Sequence, residues 1–335
     1  MLNKNTISKQ VPGLFMAVFF CVLSGCLSNL KAQPVPSSEE NIPFLVTFGK
    51  DADPSWGDDD FSQTFFFVIP PDQKKPVFIR VYDPDTGGSY DEVKGVADTK
   101  TKFSIYGGKG CITDPAATSV DPEGKNKSGI LIASKTFGNQ SMYDKNWYSF
   151  GPFNPVEGEY VKEYGGYVFK VIAEGISGDD GNLYKYFLSS SPVENIPIEG
   201  ANSFTFEYTF RLPDKAGSVS HIYPFVSKDV VAVKIHTFDF DYDGRIRIVS
   251  VAKKHEDVQI SGDNDWVTST HKISDQEKNT SLDIQIIKTE DFNNNNVVFY
   301  ITNQYGKALP FYTSPIGGTP KFKYEIGVKP FNSNK

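Results

Sequence analysis

Apolar and polar residues alternate in short runs along most of the chain, and clusters of Gly, Pro, Asp, Asn and Ser separate the runs. Phe204-Thr205-Phe206-Glu207-Tyr208-Thr209-Phe210 is the cleanest case, with an aromatic ring at every second position, as in a strand buried on one face. Comparable runs over 44–48, 61–69, 77–82, 102–106, 129–134, 147–150, 166–173 and 183–189 predict strands in a first half. Runs over 229–236, 246–251, 284–287, 297–302 and 322–328 predict more in a second. Pro70-Pro71, Gly107–Gly110 and the four asparagines Asn293–Asn296 are turn chemistry. No stretch of about ten residues carries a helical period. The fold class expected is therefore all-β: two tandem antiparallel β-sandwich (jelly-roll-like) domains after an N-terminal export signal. The stretch from Ser189 to Gly200, rich in Ser and Pro without periodic apolar positions, divides them. The expected boundaries are 42–190 for domain 1, 191–200 for the linker and 201–335 for domain 2.

Residues 1–33 have a different pattern. Lys4 and Lys9 precede an apolar stretch, Leu14–Leu23, which is too short for the about 20 residues that span a bilayer. This is the layout of an export signal. At its end, Leu23-Ser24-Gly25-Cys26 resembles the lipobox of bacterial lipoproteins, which implies cleavage before Cys26 and acylation of its thiol. A second cleavage position follows Ala32 and would leave Gln33 first, giving a plainly secreted or periplasmic protein. Residues 34–41, polar and containing Pro34 and Pro36, are expected to be a spacer holding the body off the membrane. The location expected is the cell envelope, lipid-anchored at the outer membrane or cell surface, with the membrane itself as a partner through Cys26.

Net charge is −7, with no basic cluster beyond pairs such as Lys74-Lys75 and Lys253-Lys254, so nucleic acid is not expected as a partner. Of three cysteines, Cys21 and Cys26 lie in the leader, so the remaining Cys111 has no internal disulfide partner and reads as a buried thiol.

Gly165-Gly166-Tyr167-Val168-Phe169-Lys170-Val171, then Gly178-Asp179-Asp180-Gly181-Asn182, then Tyr184-Lys185-Tyr186-Phe187-Leu188 resembles the closing hairpin of pre-peptidase C-terminal-type β-sandwiches. The likeness extends over roughly residues 60–190 and departs from the family in an insertion around 114–127. It implies a non-catalytic appendage of a secreted protein with a binding or calcium role. In this alignment Asp83-Pro84-Asp85 occupies the place of the family's acidic strand-end loop.

Two acidic stretches are the chemical candidates. Asp239-x-Asp241-x-Asp243-Gly244 matches the first half of an EF-hand loop, and its alternate carboxylates suit calcium, a hard cation that takes six to eight oxygens. The twelfth position is Ser250 rather than Glu, and the flanks read as strands. The competing reading is a plain hairpin with a three-residue loop, Asp243-Gly244-Arg245, that pairs Tyr242 with Ile246 and Phe240 with Ile248. The second stretch is Asp83-Pro84-Asp85-Thr86-Gly87-Gly88 with Asp91 and Glu92, which Asp58, Asp59 and Asp60 are placed to approach. Trp56, Trp147 and Trp266 are weighed as sugar platforms against a role as edge aromatics over the core.

Catalytic signals are thin. His221, His236, His255 and His271 lack zinc-site spacing, and His236, inside a strand pattern, reads as a packed or rim histidine. There is no Gly-x-Ser-x-Gly elbow, and Gly107-Gly108-Lys109-Gly110 lacks the spacing and Ser/Thr of a phosphate loop. The function expected is non-catalytic binding or scaffolding at the cell envelope with calcium-stabilised acidic loops, toward a protein or polysaccharide partner. One alternative is a carbohydrate-binding accessory protein. The other is a secreted hydrolase whose paired carboxylates are brought together only by folding.

Overall fold

The computed structural model describes residues 34–120 and 127–323, and among them the chain is all-β, with four short 3-10 turns and antiparallel pairing throughout. The leader with its Cys26 motif, and residues 324–335, in which most of the 322–328 run falls, lie outside the described residues.

The largest sheet runs, edge to edge, through Trp266–Lys272, Ala232–Phe238, Asn296–Asn303, Glu207–Arg211, Phe44–Phe48, Gly181–Ser189, Val77–Tyr82 and Trp147–Phe153. Its first four strands come from the second half of the chain and its last four from the first. A second sheet, Phe311–Tyr312, Asn202–Thr205, Ser62–Ile69, Gly166–Ser177, Lys100–Gly107 and Ile130–Phe137, covers one end. A third, Val219–Ile222, Asp283–Lys288, Gly244–Val249 and Glu256–Val258, contributes Ile246, Ile248, Ile284 and Ile286 to the same core as Val233, Ile235, Phe299 and Ile301. Two sandwiches result, as expected, but they share one sheet.

The alternating patterns explain the layers. Phe65 and Phe67 point inward from the second sheet, and Phe65 meets Tyr186 and Tyr208 of the long sheet at centroid distances of 5.9 and 5.4 Å. Phe103 meets Tyr184 edge-on at 5.0 Å. Such tilted and T-shaped pairs suit the ring quadrupole and fill much of the interior between the two sheets.

The halves are joined more closely than a linker between independent domains implies. Residues 191–200 form the irregular connection the sequence indicates, yet Phe44–Phe48 pairs with Glu207–Arg211, and Asn202–Thr205 pairs with Ser62–Ile69. One continuous core contains residues of both halves.

Three local expectations are corrected. Residues 34–41 are not a free spacer: Pro34–Val35 pairs with Tyr186 and Phe187, Val35, Ser37 and Glu40 are buried, and the Glu40 carbonyl accepts the His221 N–H at 2.8 Å. Burial of Val35 and backbone pairing outweigh the polar, proline-containing composition that suggested a tether. The hairpin over 166–188 is not a hairpin: Gly166–Ser177 lies in the second sheet and Gly181–Ser189 in the long one, and the turn between them crosses the sandwich. The same holds at 239–243. Ala232–Phe238 and Gly244–Val249 belong to different sheets, so Tyr242 does not face Ile246 nor Phe240 face Ile248. Asp239, Asp241 and Tyr242 are all left-handed, with φ of 59°, 56° and 57°, and Phe240 drops fully into the core between them. That backbone carries the chain from one layer to the next instead of folding it back.

Candidate functional site

The crossing at 239–243 delivers its aspartates to the rim of an open cleft of about 650 Å³. Asp239, Asp241, Tyr242 and Asp243 form one wall, with Asp263 beside them; Trp56, Glu92, Lys94 and the Phe292–Asn294 tip and Asn296 form the rest. Sequence positions 240 residues apart meet here, through the Asn296 amide that donates to the Trp56 carbonyl at 2.7 Å.

Asp239, Asp241 and Asp263 have carboxylate oxygens within 4.8 Å of one another. Burial, reinforced by the charges of Asp241 and Asp263, pushes Asp239 up to about 7, although its carboxylate accepts the Asn264 N–H at 2.6 Å. Asp241 rises to about 6, again from burial first and then from Asp243 and Asp263. Asp243 is drawn elsewhere. Its Oδ2 accepts from Asn295 at 2.5 Å and lies 3.5 Å from the buried Lys288 ammonium. The trio that forms is thus Asp239, Asp241 and Asp263, with Asp263 in the role the sequence assigns to Asp243. Asp263 stands before Asn264 in a polar turn, and only the fold brings it near.

The aromatic part of the cleft is as distinct. Tyr242 is 67% exposed and Phe292 48%, and the Tyr242 ring rests against Gly262, where an added Cβ would come within 2.6 Å of it. Trp56 packs against Phe48 on one side and holds the Lys94 ammonium 4.1 Å from its ring centroid on the other. The other two tryptophans are edge aromatics. Trp147 packs on Tyr82 with Arg80 5.1 Å over its ring, and Trp266 packs on Phe238 and Tyr300. Both are half-buried and outside the cleft.

The second acidic stretch forms a separate, closed group. Asp83 and Asp85 are buried at 0% and 2% exposure. Asp83 Oδ1 accepts the Lys145 N–H at 2.9 Å and Asp85 Oδ2 the Gln140 N–H at 3.1 Å, so both are tied to the 138–146 loop. Burial pushes Asp83 up to about 6, with Asp144 and Asp85 adding to the rise. Asp91 uses both oxygens on the backbone, accepting from Gly87 at 2.7 Å and Leu183 at 2.7 Å, which makes it a staple of this loop. Asp144, not Asp58, Asp59 or Asp60, is the carboxylate that joins Asp83 and Asp85.

Two further carboxylate clusters are present. In Asp58–Asp60, the buried Asp58 accepts the N–H groups of Phe48 and Phe61. In the cluster of Asp98, Asp179 and Asp180, Asp180 is fully buried and accepts the N–H groups of Lys94, Asp98 and Thr99. That is a turn staple.

Groups with catalytic potential are held in structural contacts. Burial pushes the Cys111 thiol up to about 12, out of nucleophilic range at neutral pH. His236 stacks on Tyr300 at 4.3 Å, and burial lowers it to about 4. Ser250, His271 and Glu277 are fully buried together. Ser250 donates to Glu277 at 2.6 Å rather than to His271, which also approaches Glu277 at 3.2 Å, so no serine–histidine relay exists there.

No family model and no curated protein matches the sequence. Among solved structures, a presumed secreted protein from Parabacteroides distasonis aligns at 11% identity over 85% of this chain and 97% of its own, with a TM-score of 0.20. A nodavirus of Penaeus vannamei, solved by cryo-electron microscopy, aligns at 10% identity over 93% and 96%, also with a TM-score of 0.20. Neither likeness is close enough to extend to this chain a function or a common fold.

Proposed function

We propose that this chain is a non-catalytic binding protein of the cell envelope, and that it binds a hydroxyl-rich ligand, a polysaccharide, in the cleft between Trp56 and Tyr242. One observation carries the reading: exposed aromatic faces and convergent carboxylate and amide groups line the same open cleft. Sugar rings present an apolar face to stack on an aromatic ring and a rim of hydroxyls to donate to carboxylates and accept from amides. Tyr242 and Phe292 supply the open faces. Asp241, Asp263, Asn293 and Asn294 supply the rim. Lys94, whose ammonium pairs with Glu92 Oε1 at 2.8 Å, covers Trp56 and is the side chain a ligand would displace to reach that ring.

The envelope part of the proposal rests on the Leu23–Cys26 motif. If acylated, Cys26 lies about eight residues before the first described strand, a reach of at most about 28 Å. With residues 34–41 built into the fold, an anchored body would sit close to the membrane rather than on a long tether.

The test is native electrophoresis in gels containing soluble xylan, β-glucan, pectin or chitin fragments. At least one polysaccharide is expected to retard the protein, with retardation lost in Tyr242→Ala and Trp56→Ala. Unchanged mobility in the whole panel would remove the reading. Release of reducing ends from a retarding polysaccharide would replace it with the hydrolase reading.

A further inference from the structure

Apart from the cleft, one group of oxygens stands out because its members are buried without partners. Asp83 Oδ2, Asp85 Oδ1, Thr86 Oγ1, Asp144 Oδ1 and Asn182 Oδ1 all lie out of reach of solvent and have no hydrogen-bond partner. Asp83, Asp85, Thr86 and Asn182 are each at most 2% exposed. They share one loop system. Thr86 N–H donates to the Gly138 carbonyl at 3.2 Å, Asp83 N–H to the Asn146 carbonyl at 3.0 Å, and the Asn182 amide to the Pro84 carbonyl at 2.8 Å. Gly88 closes over Asp144: a Cβ there would fall 2.4 Å from Asp144 Oδ1.

Each of these carboxylates has spent one oxygen or none on the protein and turned another into the interior. Buried acceptors are nearly always satisfied, and an unpaired buried carboxylate costs several kcal/mol. Five unsatisfied oxygens in one place, two of them from neutral side chains, are not explained by an acidic surface loop. Among the described residues Lys145 alone offsets Asp83, and only as the smallest of the influences on it. Lys145, the nearest in sequence, extends over the Tyr90 ring 5.2 Å from its centroid.

We propose that Asp83, Asp85, Thr86, Asp144 and Asn182 hold one calcium ion that clamps the 83–94 loop to the 138–146 loop and to the start of the Gly181–Ser189 strand. All donors are oxygens, so a hard cation is selected over zinc or copper. The mixture of carboxylate, amide and hydroxyl oxygens suits the irregular six-to-eight-fold shell of calcium better than the strict octahedron of magnesium, which keeps its waters. Asp83, Asp85 and Asp144 do not form one of the close carboxylate trios, and because oxygens bound to one calcium at about 2.4 Å lie within about 5 Å of one another, binding would draw the two loops together. Beyond Asp91 the same loop carries Glu92 and Lys94 into the cleft, so the ion would also set one cleft wall. The site does not depend on what the cleft binds.

The experiment is a thermal melt of the chelator-treated protein with and without about 1 mM calcium, alongside equilibrium dialysis to count bound ions. Calcium is expected to raise Tm by roughly 5 °C or more. The rise should vanish in Asp85→Asn and in Asp144→Asn and persist in Asp241→Asn. Should Asp85→Asn fail to fold, the half-buried Asp144 gives the same comparison from the loop. No bound calcium and no shift would overturn the proposal. So would a shift lost in Asp241→Asn but kept in Asp144→Asn, which would place the ion in the cleft.

Discussion

Gln63 joins the two halves of the molecule with a single side chain. Its amide donates to the Thr209 carbonyl at 3.1 Å and accepts the Thr209 N–H at 2.8 Å, imitating one rung of a β-ladder inside the core. Tyr184, hydrogen-bonded to Thr47, closes the node. Gln63→Leu leaves Thr209 with two buried unsatisfied backbone groups, and urea titration is expected to show a loss of about 2–4 kcal/mol. Glu40 makes a prediction in pH. Buried at 1% exposure, it is pushed by desolvation up to about 8, so between its unfolded value near 4.5 and about 8 the folded state holds a proton that the unfolded state has lost. Stability from this group is full below about 4.5 and falls as pH rises toward 8, by at most about 1.4 kcal/mol per unit. Urea midpoints at several pH values should show this slope, and Glu40→Gln should flatten it. Neither residue is legible in sequence, where Gln63 reads as an outward polar position of an alternating strand and Glu40 as part of a spacer.

At the scale of elements, strands were legible and their partners were not. Short runs rich in aromatic and β-branched residues mark 44–48, 77–82 and 183–189 well because strand propensity is a local property. Whether a turn returns into its own sheet or crosses to the other is not local. Asp243-Gly244 has the composition of a hairpin turn, yet three left-handed residues just before it send the chain across the sandwich. Gly178, with φ +83°, does the same between 177 and 181, and a Cβ there would meet Thr99 Oγ1 at 2.4 Å. Gly178→Ala is expected to cost more than about 1 kcal/mol in chemical denaturation, since both the backbone conformation and the contact oppose it. Gly262→Ala should leave stability nearly intact and tilt Tyr242 out of the cleft, weakening polysaccharide retardation as Tyr242→Ala does.

At the scale of the whole molecule, a sheet that takes five strands from the first half and four from the second predicts cooperative unfolding. Calorimetry of the protein should give one transition with equal calorimetric and van't Hoff enthalpies; two resolved transitions would show that the halves fold separately. A piece ending in the 191–200 stretch would leave Phe44–Phe48 and Ser62–Ile69 without their partners from the second half, as open edges prone to association. The sequence by itself determined the all-β class, most strand and turn positions and the acidic charge balance. All of these depend on neighbouring residues or on totals. It also marked Asp83, Asp85, Asp239 and Asp241 as the loaded positions. Only the tertiary structure decided that Asp144 and Asn182 attend the first pair and Asp263 the second, and that Trp56 shares a cleft with Tyr242. In a β-protein, hydrogen bonds between strands join residues far apart in sequence, and no local period records which strand lies beside which.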